Sequence, residues 1–200
     1  MINYKDSSVP GKEKDSTSPF SNKQDGLTMT NIIDESGRKK LVEILDNYKT
    51  DTKWKDNPAQ TVKTSEVKLV EWAILKSFLT PIMDGVLLSN AHYFGYHLYP
   101  TSGRECLNYN IYRTGTEYKY HSDSSAYAST DMKLTCLLNI STEPYEGGDF
   151  HLKYGDEDKP INFPVGSLFV FKPYIFHRVK PITKGIRRTL TLWMYGPRWQ

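Results

Sequence analysis

The chain is poor in cysteine, in long apolar runs and in charge of a single sign. Cys106 and Cys136 are its only cysteines, each inside a strand-like segment, so no disulfide framework is expected. That usage suits a reducing compartment. We find no apolar run long enough to cross a bilayer, and no apolar stretch of a secretory leader at the N-terminus. A soluble cytoplasmic protein without a membrane partner is expected. Lys and Arg number 26 against 23 Asp and Glu, a net charge of +3 spread along the chain. A nucleic-acid binder would cluster its basic residues, so this balance argues against such a partner.

What is present divides into three stretches. Residues 1–26 are rich in Ser, Lys, Asp, Gly and Pro and have few large apolar side chains. They cannot bury enough surface to offset their ordering entropy, so a disordered tail is expected there. An arm that folds over a substrate is the functional alternative. The remaining residues, 27–200, suffice for one domain with a sizeable core.

Two helices are expected next. In residues 36–48, Leu41, Ile44, Leu45 and Tyr48 share a face. In residues 65–83, Val67, Val70, Ile74 and Phe78 do the same, with Thr64 or Ser65 as cap and Pro81 ending or kinking the helix. Residues 50–64 between them, with Trp54 and Pro58, read as a loop.

From Val86 onward, short runs of Val, Ile, Tyr, Phe and Thr alternate with Gly, Pro, Asn and Asp. Candidate strands are 86–98, 105–112, 117–121, 132–140, 149–154, 160–163, 167–171, 174–180 and 187–195. This spacing predicts a β-sandwich or barrel, and helices before strands predict an α+β, mainly β fold with the helices on one sheet.

Residues 117–124 read EYKYHSDS. His121 and Asp123 are two apart, and positions i and i+2 of an extended chain point the same way. One imidazole and one carboxylate can therefore reach a single ion. A His-x-Asp pair alone arises easily by chance, and a third ligand must come from elsewhere. The remaining histidines are His92, His97, His151 and His177. His177 lies in a strand-like stretch after a turn; as a lone residue it would read as a core histidine. Two histidines and a carboxylate form the facial triad of non-haem iron(II) sites, which leaves three positions open.

Ten residues beyond His177 comes Arg187, in the alternating stretch 185–197 (GIRRTLTLWMYGP). Ile186, Arg188, Leu190, Leu192 and Met194 share one face and should pack under the helices. Arg187, Thr189, Thr191, Trp193 and Tyr195 share the other. An arginine on that inner face is costly unless an anion meets it. Arg188 is the rival, on a face of the wrong chemistry, and a protein carboxylate is the ordinary partner for either.

These residues, taken in order, resemble the 2-oxoglutarate/iron(II) oxygenase superfamily in its prolyl 4-hydroxylase-like branch. Residues 112–123 (YRTGTEYKYHSD), 134–139 (LTCLLN), 147–150 (GGDF) and 176–187 (FHRVKPITKGIR) carry the similarity. It runs from about Leu107 to Pro197, and the ordered set is far more specific than any member. The resemblance implies a double-stranded β-helix, or jelly roll, with the metal between its sheets. It implies Fe(II) held by His121, Asp123 and His177, with 2-oxoglutarate anchored on Arg187 and touched by Tyr112. It further implies O2 as co-substrate, succinate and carbon dioxide as products, and ascorbate as helper reductant. Leu137 is aliphatic where some relatives place a co-substrate tyrosine. Asp123 favours hydroxylation over halogenation, because halogenating relatives leave that ligand position to halide.

The implied substrate is an unactivated C–H of a protein or peptide, first a prolyl residue. A free amino acid, another small molecule or an alkylated nucleobase is the alternative, and a non-catalytic binding module the second. Tyr93, Phe94, Tyr96, Tyr99, Tyr109, Tyr118, Tyr120 and Tyr127 are expected to crowd the approach, with Tyr118 nearest the metal motif as candidate substrate contact. Ordinary strand packing accounts for such aromatics equally well. Residues 124–130 (SSAYAST) are a candidate loop over the site.

Overall fold

A computed structural model describes residues 26–49, 62–100, 106–123 and 131–198. The expected tail, the segment with Trp54 and Pro58, and the candidate loop with Tyr127 lie outside the described residues. Eleven strands and two α-helices are described: β1 (Gly26–Met29), α1 (Glu35–Asn47), β2 (Glu66–Glu71), α2 (Trp72–Ser89), β3 (Cys106–Arg113), β4 (Tyr118–His121), β5 (Asp131–Asn139), β6 (Tyr145–Gly147), β7 (Phe150–Tyr154), β8 (Glu157–Pro160), β9 (Leu168–Phe171), β10 (Phe176–Val179) and β11 (Ile182–Gly196). They form two antiparallel sheets. The larger runs β1-β9-β5-β11-β3-β2, with β6 on the early part of β11; the smaller runs β4-β10-β7-β8. This is the expected mainly β jelly roll with helices on one sheet.

The alternation along β11 sorts the interior into two cores. Leu190, Leu192 and Met194 join Leu41, Leu45, Leu75, Leu79 and Val86 of the helices. On the other side of the large sheet, Tyr112, Leu137, Phe169 and Phe171 meet Phe150, Leu152 and Val179 of the small sheet. The site lies on this second side. α1 lies within a residue of the expected 36–48, and Asp34, which sequence alone did not single out, caps it, its side chain accepting from the Gly37 N–H at 2.7 Å.

Three expectations are corrected. Residues 66–71 form strand β2, not the start of a helix, because β2 pairs with β3 from Glu66↔Ile111 to Glu71↔Cys106. Val67, Val70 and Ile74 mimic a helical stripe, but β-branched residues also suit a strand, and the pairing decides. Residues 86–94 are helical, not a strand: Val86, Ser89 and Asn90 prolong the buried side of α2. Pro81 sits inside α2 without ending it. Termination comes at Gly95, at φ 67°, whose N–H reaches Asn90 O at 2.7 Å. The Asn90 side chain adds bonds to Tyr96 O and N. Finally, the continuous helical stretch Trp72–Phe94 is as long and apolar as a membrane-crossing helix, contrary to the sequence reading. Leu75, Leu79, Ile82, Met83 and Val86 are nevertheless buried in the core.

Candidate active site

Strand pairing brings the three donors together. His177 on β10 lies directly opposite His121 on β4. Asp123, two residues past His121, is fixed by its own N–H donating to Pro173 O at 2.9 Å, just before β10. One donor atom from each of the three residues falls within 4.8 Å of the others. Nε2 of His121 is 3.7 Å from Asp123 Oδ1, and Nε2 of His177 is 3.8 Å from the same oxygen.

Each group is oriented by a neighbour. His121 Nδ1 is 2.8 Å from Lys119 O, and His177 Nδ1 is 2.8 Å from Ile175 O. A carbonyl only accepts, so Nδ1 carries the proton in both rings and Nε2 keeps its lone pair. Asp123 Oδ2 accepts from Thr135 Oγ1 at 2.7 Å and from Trp193 Nε1 at 3.1 Å, leaving Oδ1 free. Outer bonds of this kind hold metal-binding groups in register.

Burial pushes the His121 pKa down to about 3, with the neighbouring His177 adding to the fall. Burial also lowers that of His177. Both imidazoles are therefore neutral at neutral pH, as a metal requires. Two neutral imidazole nitrogens and a carboxylate oxygen facing one point suit a first-row divalent ion such as iron(II).

The donors open onto a cavity that Tyr112, Tyr118 and Leu137 also line, with Arg187 on its wall. Arg187 is 1 % exposed, yet neither Nη1 nor Nη2 has a hydrogen-bond partner among the described residues. Its guanidinium carbon lies 5.4 Å from the Tyr112 ring centre and 5.6 Å from that of Phe163. A buried, unpaired cation is costly, so this group is built for an anion supplied from outside. Gly148 makes room for it: a Cβ there would stand 3.0 Å from Arg187 Cδ and 2.3 Å from Ile182 Cδ1, and φ is +70°. The neighbouring Gly147, at φ +75°, backs onto Pro181 O, where a Cβ would approach to 2.4 Å. These contacts give the Gly-Gly pair its physical reason.

All six residues expected from sequence, His121, Asp123, His177, Arg187, Tyr112 and Tyr118, line this one cavity. Tyr118 stacks on the His121 ring, centroids 3.4 Å apart. Of the wider aromatic set, the described members other than Tyr118 do not line this cavity. Tyr109 lies in the helix-side core and donates to Asp46 at 2.8 Å, and Tyr120 bonds Asp158. His151 also turns to Asp158, at 2.8 Å, rather than to the donors. Other cavity residues have no role legible in the sequence, among them Lys63, Asn110, Thr135 and Trp193. Trp193 shares the Arg187 face of β11, a signal that alternation already offered. Lys63 follows a stretch without periodicity and gave none.

Comparison with known proteins agrees with this geometry. Residues 107–195 match the model of the 2OG-Fe(II) oxygenase superfamily. A PKHD-type hydroxylase of Gloeothece citriformis is 28% identical over 144 residues, covering 68% of this chain and 61% of that protein. One from Aliarcobacter butzleri is 30% identical over 93 residues, 43% of this chain and 41% of its own. The chain thus spans less than two thirds of the length of these relatives. Among solved structures, a Pseudomonas putida prolyl-4-hydroxylase superposes with TM-score 0.67 at 16% identity, covering 86% of this chain and 93% of its own. A Trichoplax adhaerens prolyl hydroxylase, solved with a hypoxia inducible factor peptide fragment, gives 0.67 at 17% identity, with 87% and 84% covered. The chain is a relative of the 2OG-Fe(II) oxygenases. In sequence it resembles the PKHD-type hydroxylases and in fold the prolyl 4-hydroxylases, as the sequence motifs imply.

Proposed function

We propose that this chain is an iron(II)- and 2-oxoglutarate-dependent hydroxylase whose substrate is a prolyl residue of a protein or peptide. The catalytic unit in this reading is the domain of residues 27–200. The observation that carries it is the pairing of three convergent donors with an unsatisfied buried guanidinium on one cavity wall. His121 and His177 bind through Nε2 and Asp123 through Oδ1. Arg187 grips the far carboxylate of 2-oxoglutarate, and Tyr112 walls it from solvent. When bound, iron with 2-oxoglutarate and O2 supplies the oxidising power to hydroxylate an unactivated C–H.

The protein's share is positioning. The carbonyls of Lys119 and Ile175 fix the imidazole tautomers. Thr135 and Trp193 hold the carboxylate in one orientation. Phe150 and Phe171 pack beside His177, with ring centres 5.6 and 4.8 Å away, and keep water from that side. The peptide class of substrate draws support from the Trichoplax relative with its bound peptide fragment. The test is succinate release with iron, 2-oxoglutarate and a proline-containing peptide, followed by mass spectrometry. A gain of one oxygen on the proline supports the reading. Turnover of 2-oxoglutarate with oxygen appearing only on free amino acids or other small molecules overturns the peptide substrate.

A further inference from the structure

Lys63 is a second cation in the cavity, and the chemistry above does not use it. It lies just before β2, bridged to Tyr118 across the mouth of the small sheet. Its Nζ donates to Asn110 Oδ1 at 2.7 Å and stands 4.6 Å from the centre of the Tyr118 ring. An ammonium has three protons to donate, and Asn110 takes one. Among the described residues no carboxylate lies within ion-pairing distance of it, whereas Arg178, Lys184 and Arg188 each meet one. Asn110 itself is committed: its Nδ2 donates to Thr191 Oγ1 at 2.9 Å, so Oδ1 is turned toward Lys63 and holds it over the cavity.

Charge decides what Lys63 is for. The two charges of iron(II) and that of Arg187 are balanced by Asp123 and the two carboxylates of 2-oxoglutarate. Among the described residues, the loaded cavity is then neutral apart from Lys63. One positive charge remains, partly removed from water, and desolvation has pushed its pKa down to about 8. A single ammonium with an amide beside it suits one carboxylate; a phosphate dianion would call for more than one cation.

Resting on the iron- and 2-oxoglutarate-dependent hydroxylase reading, and not on its peptide substrate, we propose that Lys63 receives a carboxylate of the primary substrate, so that the oxidised C–H belongs to a molecule carrying an acid group nearby. That acid is either the α-carboxylate of a free amino acid or an acidic side chain next to the modified residue of a peptide. Lys63 is thus a specificity residue of the site, with Asn110 positioning it.

The test compares acids with their neutral isosteres. Free L-amino acids, proline included, are paired with their carboxamides, and a capped peptide bearing Pro-Glu is paired with one bearing Pro-Gln. Thermal shift of the iron- and 2-oxoglutarate-loaded protein under argon is read beside succinate release in air. The acid of at least one pair is expected to raise both, and its isostere neither. A response in the amino-acid pairs assigns a free acid; one in the peptide pair assigns an acidic neighbour. Lys63→Met is expected to raise the half-saturating concentration of the responding acid at least tenfold, with that of 2-oxoglutarate changed less than twofold. Lys63→Arg is expected to recover part of the loss. If no acid outperforms its isostere, whether both bind or both are inert, the assignment is overturned. It is equally overturned if Lys63→Met weakens 2-oxoglutarate instead. Failure of the underlying reading looks different: wild-type protein would then give no visible absorption band with iron and 2-oxoglutarate under argon.

Discussion

Arg187 and Arg188 are adjacent in the chain, both buried, and face opposite sides of one sheet. Arg188, on the helix side, lies 3.8 Å from Asp46 and 3.9 Å from Glu143. Arg187, on the cavity side, has neither Nη1 nor Nη2 paired among the described residues. Strand alternation alone separates a structural cation from one reserved for a ligand. Removing Arg187 as Met deletes a charge-assisted contact worth about 1.5–3 kcal/mol. The half-saturating concentration of 2-oxoglutarate is expected to rise roughly ten- to a hundredfold. Arg188→Met should lower the melting temperature and leave that concentration within twofold. Steady-state titration of 2-oxoglutarate checks both variants, and equal effects would contradict the register.

Thr135 touches Asp123 only at Oδ2, the oxygen turned away from the donor cluster. Thr135→Val keeps the shape and removes the hydrogen bond. Iron affinity is expected to fall roughly ten- to a hundredfold, the usual cost of losing an outer-shell partner. Competition with a chromophoric chelator measures it, and an unchanged affinity would show that Trp193 alone suffices.

Gly148→Ala tests the packing behind the anchor. The new methyl would collide with Ile182 and press on Arg187, at a φ of +70° that side chains rarely adopt. Both a lower melting temperature and a raised 2-oxoglutarate requirement are expected. A change in stability alone would separate the turn from the anchor.

Much of this site was legible in the sequence because its elements are local. His-x-Asp needs only the period of two in an extended chain, and the Arg187 face needs only alternation along one long strand. The helix register failed where two periods overlap: Val67, Val70 and Ile74 fit a helix on paper, and only pairing with β3 makes residues 66–71 a strand. The helical run after Val86 was missed because Val, Leu and aromatic residues favour strands locally, while burial against the sheet favours the helix. Lys63 was invisible because its meaning depends on Asn110 and Tyr118, 47 and 55 positions away in the chain.

The metal-free protein should be sensitive to acid. His121 has a folded-state pKa near 3, against an ordinary value of 6.5, and His177 is shifted the same way. Between those limits the unfolded chain binds more protons than the folded one, so stability falls as pH drops. From about a unit above pH 6.5 both states hold the rings neutral and the effect fades. Urea unfolding of the metal-free protein at pH 8.5, 7.5 and 5 should give nearly equal midpoints at the first two and a lower one at the third. A midpoint unchanged at pH 5 would mean the rings are protonated in the folded state.

Anaerobic titration of the iron-loaded protein with 2-oxoglutarate, followed by visible absorption, tests the central claim most directly. One iron per chain and a saturable charge-transfer band are expected, with both lost in Asp123→Ala and in His177→Ala. A wild-type protein that takes up no stoichiometric iron, or variants that keep the band, would contradict the assignment of His121, Asp123 and His177 as the metal site.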